Sequence, residues 1–137
     1  MKILATFDES LFSEAIIPQL EELARLPDVE IVLLSLVETP LVASDAVDAA
    51  LAELSRYLDG IVQRLPKGPR YRTITAVTMF PAASIIEHAL DEQPDVIVMA
   101  THGRTGLARA LFGSVTDQVV RAWIAPVLLV RPSQALG

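Results

Sequence analysis

The stretch "EIVLLSLV", from Glu30 to Val37, decides the fold because it is apolar at nearly every position. A strand with one face in water alternates apolar and polar residues, whereas helices cover both faces of a strand in a parallel sheet. An unbroken apolar run therefore predicts a strand of a parallel sheet. Three similar runs predict further buried strands, at residues 3–7, 95–100 and 127–131.

Helical patterns separate these runs. A first helix is predicted with Ser10 as its cap, and its apolar, core-facing stripe is Phe12, Ile16, Leu20, Leu23 and Ala24. Pro18 predicts a bend or a late start in this helix, because proline lacks a backbone donor. A longer stripe predicts a second helix that ends before Pro66: Val47, Leu51, Leu54, Leu58, Ile61 and Leu65. Residues 71–77 alternate like a half-exposed edge strand, and helices are predicted over 81–92 and 114–123.

The resulting order, β-α-β-α-β-α-β-α-β, predicts one α/β domain over residues 1–137, with a doubly wound parallel sheet and helices on both faces. In such a sheet, ligands bind beyond the carboxyl ends of the strands, where the strand order reverses. Four stretches qualify: residues 6–8, 36–38, 79–81 and 99–115. If the fourth strand lies beside the first, Asp8 faces the glycines of the last stretch across one crevice.

Composition excludes several classes of protein. The 137 residues carry a net charge of −6, which argues against a surface that neutralises a nucleic-acid backbone. There is no cysteine, so disulfides and thiolate metal sites are excluded. We find neither a signal-peptide core nor the apolar run of about 18 residues that a membrane span needs, and we expect a cytoplasmic protein without membrane contact.

The stretch "MATHGRTGLARALFGSV", from Met99 to Val115, carries features of a phosphate-binding loop. Gly103 would let backbone donors approach a phosphate closely. Gly113 and Ser114 begin a helix, whose unpaired N–H groups and dipole favour an anion. Ser114 serves equally well as a helix cap, because the segment from Ser114 to Asp117 resembles a capping box, and the two roles are compatible.

Other candidate residues also have simpler alternatives. Asp8 could cap the first helix, and Arg104 and Arg109 could be solvated loop charges rather than phosphate partners. His102 lacks a nucleophile or a second nearby ligand, so neither a general base nor a zinc site is predicted there. The Walker A motif and the glycine-rich Rossmann motif are both missing from the sequence.

The sequence resembles the universal stress protein family over essentially the whole chain. The resemblance rests on "KILATFDES" at 2–10, "DVIVMATHGRTGLARALFGSV" at 95–115 and "APVLLVRP" at 125–132. It implies a five-stranded parallel sheet in the order 3-2-1-4-5, with its switch point between strands 1 and 4. Nucleotide-binding members carry G-x-x-G, nine residues, then G-[ST]. This spacing is kept, but Ala100 stands at the first glycine and Met79 at a glycine common before the strand-3 proline.

The function that the resemblance implies is that of a signalling or stress-response module that binds ATP, ADP or AMP, with Mg²⁺ held by the phosphates. Asp8 matches the family aspartate that meets adenine, and Leu36 matches the strand-2 position whose backbone meets the base. The predicted binding residues are Thr6, Phe7, Asp8, Leu36, Ala100, Thr101, Gly103, Arg104, Gly113, Ser114 and Val115. The alternative, which Ala100 favours, is a nucleotide-free dimeric scaffold that acts through protein contacts.

The sequence also leads to expectations about catalysis and about oligomeric state. No catalytic residue is predicted, because hydrolysis needs a group that orients water and charge near the leaving phosphate, and no lysine follows the loop. We therefore expect at most very weak ATP hydrolysis. The fifth strand, Val127–Val130, is apolar on both faces, and an exposed edge of this kind invites pairing. Many members of the resembled family dimerise through this strand, so a homodimer is predicted.

Overall fold

The central sheet of the computed structural model has five parallel strands: β1 (Lys2–Phe7), β2 (Glu30–Glu38), β3 (Arg70–Thr78), β4 (Val96–Ala100) and β5 (Val127–Val130). Their order is β3-β2-β1-β4-β5. This order confirms the predicted α/β class and topology, with β3 and β5 at the two edges. The structure describes residues 1–38, 44–101, 114–122 and 125–132, without the side chains at 44, 45 and 114.

Within the described ranges, four α-helices connect the strands: α1 (Ile17–Leu23), α2 (Ser44–Arg64), α3 (Pro81–Glu92) and α4 (Ser114–Ala122). A 3₁₀ turn, Ser13–Ile16, precedes α1. Pro18 lies in the first turn of α1, where its missing donor costs no helical hydrogen bond. The late start predicted from Pro18 is therefore confirmed. The Ser10 hydroxyl accepts a hydrogen bond at 3.1 Å from the N–H of Ser13, the first residue of the 3₁₀ turn, whose cap position is occupied by Phe12.

The run that predicted the fold is buried on both faces of the sheet. Ile31 and Leu33 pack in the core under α1 and α2, and Val32 and Leu34 pack in the core under α3 and α4. All four side chains are at most 1% exposed. Burying an aliphatic side chain of this size contributes about 1.5–3 kcal/mol. The unbroken apolar pattern of β2 thus reflects two separate cores.

The leucine stripe of α2 faces the first core, as predicted. Its buried members are Leu54, Leu58, Ile61 and Leu65. Polar residues occupy much of the rest of the helix, which is amphipathic over its 21 residues. No helix in the described part of the chain is long and apolar enough to cross a membrane.

Candidate functional site

A crevice opens where β1 and β4 separate. These two strands pair only from Ile3–Ala5 to Val96–Val98. On its other side, β1 stays paired with β2 as far as Phe7 and Ser35, and β4 stays paired with β5 as far as Ala100 and Val130. The last two residues of β1 and of β4 therefore have no partner across the gap. This gap is the switch point of the sheet, where ligands of such folds bind.

The crevice contains a cleft of about 310 Å³. Seven of the predicted binding residues line it: Thr6, Phe7, Asp8, Leu36, Ala100, Thr101 and Val115. Three others, Gly103, Arg104 and Gly113, lie outside the described residues, as does the Ser114 side chain, although Ser114 is the first residue of α4. The described part of the predicted site is thus brought together in one cleft.

Further lining residues come from the strand ends and from the helices above them: Ser10, Phe12, Ser13, Leu34, Glu38, Pro81, Ile85, Met99 and Thr116. Of the third predicted stretch, only Pro81 lines the cleft, because Met79 and Phe80 point to solvent with 57% and 69% of their area exposed. Phe12 was expected in the core but is only partly buried, and it lines the cleft instead. Ser13 and Thr116, which bring hydroxyl groups to the lining, were not among the predicted binding residues. The only feature of the sequence that points to them is that they lie close along the chain to Asp8 and Ser114.

The turn after β1 is held by its own side chains. The Asp8 carboxylate accepts hydrogen bonds from the Ser10 N–H, at 2.9 Å, and from the Ser10 hydroxyl. The Asp8 N–H donates to Ser13 Oγ at 3.1 Å, and Glu9 between them has a φ of +69°. These bonds form an Asx turn, and the cap positions of the following 3₁₀ turn and of α1 are occupied by Phe12 and Ile16. The helix-cap alternative for Asp8 is therefore wrong.

A contact from α2 supports this turn. The Tyr57 hydroxyl donates to Glu14 Oε2 at 2.7 Å, and Arg64 Nη1 lies 2.9 Å from Glu14 Oε1. Burial, and then the hydrogen bond to Glu14, raise the pKa of Tyr57 above its ordinary value, so the phenol stays protonated as a donor. Glu14 belongs to the 3₁₀ turn that follows Ser10, so α2 fixes the position of one wall of the cleft.

Ala100 presents its backbone to the crevice. The Thr101 N–H donates to the Val130 carbonyl at 2.9 Å, on the β5 side. Because N–H groups alternate along a strand, the Ala100 N–H points to the β1 side, beyond the last pair with β1 at Val98. Ala100 does not belong to the described residues with positive φ, so its backbone conformation does not require glycine. A backbone N–H is what position 100 offers to a ligand, and alanine retains it.

The electrostatics of the cleft are set by carboxylates. Asp8 and Glu38 are the charged residues of its described lining, which includes no lysine or arginine. Leu34, Leu36, Ile85 and Met99 supply an apolar wall. Among the described residues, no group of three histidine, cysteine, aspartate or glutamate side chains is placed to hold a metal ion. The described lining therefore combines an apolar wall with two carboxylates.

Comparison with known proteins identifies relatives. The model of the universal stress protein family matches residues 1–131. The chain is 47% identical over 51 residues to universal stress protein MJ0531 and 42% identical over 55 residues to universal stress protein MJ0577, both of Methanocaldococcus jannaschii. These stretches cover 37% and 40% of this chain, and 30% and 34% of the relatives. The aligned stretches therefore span about a third of the length of these two curated relatives.

Solved structures share the fold over nearly the whole chain. The structure of MJ0577 has a TM-score of 0.81 and 28% identity, and the match covers 97% of this chain and 96% of that one. A universal stress protein in complex with cAMP has a TM-score of 0.68 and 19% identity, with 97% and 98% covered. A universal stress protein from Archaeoglobus fulgidus in complex with dAMP has a TM-score of 0.66 and 19% identity, with 94% and 95% covered.

Proposed function

The chain belongs to the universal stress protein family, and on that premise we propose that it binds an adenine nucleotide, ATP, ADP or AMP, in the crevice between β1 and β4. The observation that carries this proposal is the separation of β1 from β4 beyond Ala5 and Val98, which opens a cleft lined by the residues predicted to bind. The cAMP and dAMP complexes of two relatives with this fold support the choice of an adenine nucleotide.

The chemistry of the lining fits the parts of such a ligand. The apolar wall formed by Leu34, Leu36 and Ile85 suits the faces of a purine base. The Ala100 N–H can donate to an oxygen of the ligand. Gly103, Gly113 and Ser114 remain the predicted phosphate contacts, because α4 begins at Ser114 and a helix N-terminus favours an anion.

Mg²⁺ would be held by the phosphates of the ligand rather than by the protein. Magnesium usually keeps several waters and is bound through phosphates with one or two carboxylates. Asp8 and Glu38 are the carboxylates of the described lining, and neither belongs to a group of three ligands. When bound, the ion would supply positive charge that offsets the phosphates in a cleft whose described charges are negative.

Signalling through nucleotide occupancy, without turnover, is the activity that we propose. Hydrolysis requires a group that orients the attacking water and positive charge at the leaving phosphate. The described lining includes no histidine, lysine or arginine. A binding module of this kind would report nucleotide levels or stress to partner proteins.

We also propose a homodimer formed through β5. The Ile97 N–H donates to the Pro126 carbonyl and the Thr101 N–H to the Val130 carbonyl. In a parallel ladder this alternation turns the backbone of Leu128 toward β4 and the backbone of Val127 and Leu129 toward the open edge. An open apolar edge is commonly covered, and a second β5 related by a two-fold axis would cover it.

The second candidate function is a nucleotide-free scaffold that acts through protein contacts. The edge of β5 favours it, because that surface does not depend on the cleft. The presence of alanine rather than glycine at position 100, in the lining of the cleft, also favours it. The two candidates share the dimer and differ only in the nucleotide.

The experiment that separates them is nucleotide analysis of the purified protein by mass spectrometry, followed by calorimetry with ATP, ADP and AMP. Gly113→Val should abolish binding, because a side chain there would block the approach of a phosphate to the backbone. Gly60→Val is the matched control, since a Cβ at Gly60 on α2 meets nothing within 4 Å. Unchanged affinity in Gly113→Val would show that the phosphate site is wrong, and a wild type that binds no nucleotide would favour the scaffold.

A further inference from the structure

Thr101, which follows β4, is a residue of the cleft wall with a buried hydroxyl. The residue is only 8% exposed and lines the cleft beside Ala100. Its Oγ1 is buried and has no hydrogen-bond partner within the described structure. A buried hydroxyl without a partner destabilises the free protein, because it loses its bonds to water and gains none in return. Such a group is explained where a ligand completes its hydrogen bonding.

The backbone N–H of Thr101 is not available for a hydrogen bond to a ligand. Its N–H already donates to the Val130 carbonyl at 2.9 Å, within the ladder to β5. Any link from this N–H to a ligand would cost that bond. The side-chain hydroxyl is therefore the donor of Thr101 that no described residue uses.

Thr116 shows the contrast. It also lines the cleft and is 5% exposed, but its hydroxyl donates to the Ala100 carbonyl at 3.3 Å. The two threonines share a cleft and a degree of burial. They differ in that, among the residues that the structure describes, only the Thr116 hydroxyl has a hydrogen-bond partner.

The polarity of the cleft indicates which ligand atom Thr101 meets. Asp8 and Glu38 place hydrogen-bond acceptors on the β1 and β2 side. On the β4 side, the Ala100 N–H and the Thr101 hydroxyl are donors. Resting on the nucleotide binding proposed above, we propose that the Thr101 hydroxyl donates a hydrogen bond to an oxygen of the bound nucleotide, on its ribose or its phosphate.

Removal of the hydroxyl tests this with two readouts. Thr101→Val keeps the shape of the side chain and should weaken AMP binding about tenfold, which corresponds to about 1.4 kcal/mol. The melting temperature of the nucleotide-free variant should stay equal to that of wild type or rise. Thr116→Val is the matched control, and the melting temperature of its nucleotide-free form should fall, because it loses a hydrogen bond that the protein makes.

A second pair of variants covers the case in which Thr101→Val does not fold. Thr101→Ser and Thr101→Ala differ from each other only by the hydroxyl. AMP should bind to the serine variant about tenfold more tightly than to the alanine variant, as one neutral hydrogen bond would require. Equal affinities in that pair, or a Thr101→Val variant that binds AMP like wild type, would overturn the proposal.

Truncated ligands then locate the oxygen. The wild-type and Thr101→Val proteins would be titrated with adenosine, 2′-deoxy-AMP and 3′-deoxy-AMP. If the partner is a phosphate oxygen, the penalty of the valine vanishes with adenosine, and if it is a ribose hydroxyl, the penalty vanishes with one of the deoxy forms. A full penalty with all three ligands would contradict the assignment. A wild type that binds none of these ligands nor AMP would overturn the proposed function as well, whereas wild-type binding with no penalty overturns only the role of Thr101.

Discussion

Arg72 on β3 forms ion pairs with two carboxylates, one on β2 and one on α3. Its replacement by methionine tests how much these ion pairs stabilise the packing of α3 against the sheet. Its Nε lies 2.9 Å from Glu30 Oε2 on β2, and its terminal nitrogen binds Glu92 at the end of α3. Lys2 Nζ lies 3.2 Å from Glu92 Oε1 and 4.0 Å from Glu30 Oε1. The four side chains form one network near the amino-terminal ends of the strands, at the opposite end of the sheet from the cleft.

The expected loss follows from exposure. The glutamate side chains are 16% and 15% exposed, whereas Arg72 is 47% exposed and its charge is screened by solvent. Solvent-exposed ion pairs contribute about 0.2–1 kcal/mol each, and the partial burial of the two glutamates places these two pairs near the upper end. We therefore expect Arg72→Met to lower the free energy of unfolding by about 1–2 kcal/mol, which for a domain of 137 residues lowers Tm by about 3–7 °C.

The loss should depend on pH with a definite sign. The hydrogen bond from Arg72 lowers the pKa of Glu30. For Glu92, burial raises the pKa, but the hydrogen bonds from Arg72 and Lys2 outweigh it, so the pKa is lowered. A lowered pKa stabilises the fold above the unfolded value, near pH 4.3, and this stabilisation disappears as the pH falls through the folded pKa. The difference in the free energy of unfolding between wild type and Arg72→Met should be largest at pH 7 and should shrink below about pH 4.

Urea unfolding at pH 7 and pH 3, each at low salt and in 1 M NaCl, measures this difference. Arg25→Met is the control, because Arg25 pairs with Glu22 at 3.0 Å on the surface, where both side chains are more than 60% exposed. The control should cost at most about 0.5 kcal/mol. An Arg72→Met loss that is the same at both pH values and unaffected by salt would refute the reasoning, since it would come from packing of the arginine stem.

Two further predictions concern assembly and turnover. Leu128 is 36% exposed in a single copy, so the charge introduced by Leu128→Lys would stay solvated in a monomer but would be buried in a β5 dimer. Sedimentation should give twice the chain mass of 14.8 kDa for wild type and a shift toward the monomer for the variant. A wild type that is monomeric at micromolar concentration would exclude the dimer. Phosphate release from ATP should stay far below about 1 s⁻¹, the rate of an ordinary slow enzyme, and turnover at that rate would make His102 a candidate base again.

The sequence predicted the elements well where local chemistry dictates them. The apolar run of β2 and the prolines at 18 and 81 mark structure that depends on neighbours in the chain. Strand order is different, because many orders satisfy the handedness of the crossovers. The order came from the family resemblance, and the residues that line the cleft follow from it.

The finer parts of the site could not be predicted because distant contacts produce them. The turn from Asp8 to Ser13 is supported by Tyr57, which lies 43 residues along the chain from its acceptor Glu14. Nothing in the local sequence shows that Ser13 faces the cleft. The sequence likewise does not distinguish Thr101 from Thr116. The Thr116 hydroxyl donates to the Ala100 carbonyl, whereas the Thr101 hydroxyl has no partner within the described ranges.

Ala100 shows how a motif and its physical requirement diverge. A glycine is irreplaceable where φ is positive or where a Cβ would meet an atom of the protein or ligand. Ala100 ends a regular strand, and its φ is not positive, so the first reason does not apply. The N–H that points into the crevice is a backbone group, which alanine supplies as well as glycine. What remains of the argument for a nucleotide-free scaffold at this position is the single methyl group that alanine adds, and Ala100 packs partly against the core under α1 and α2.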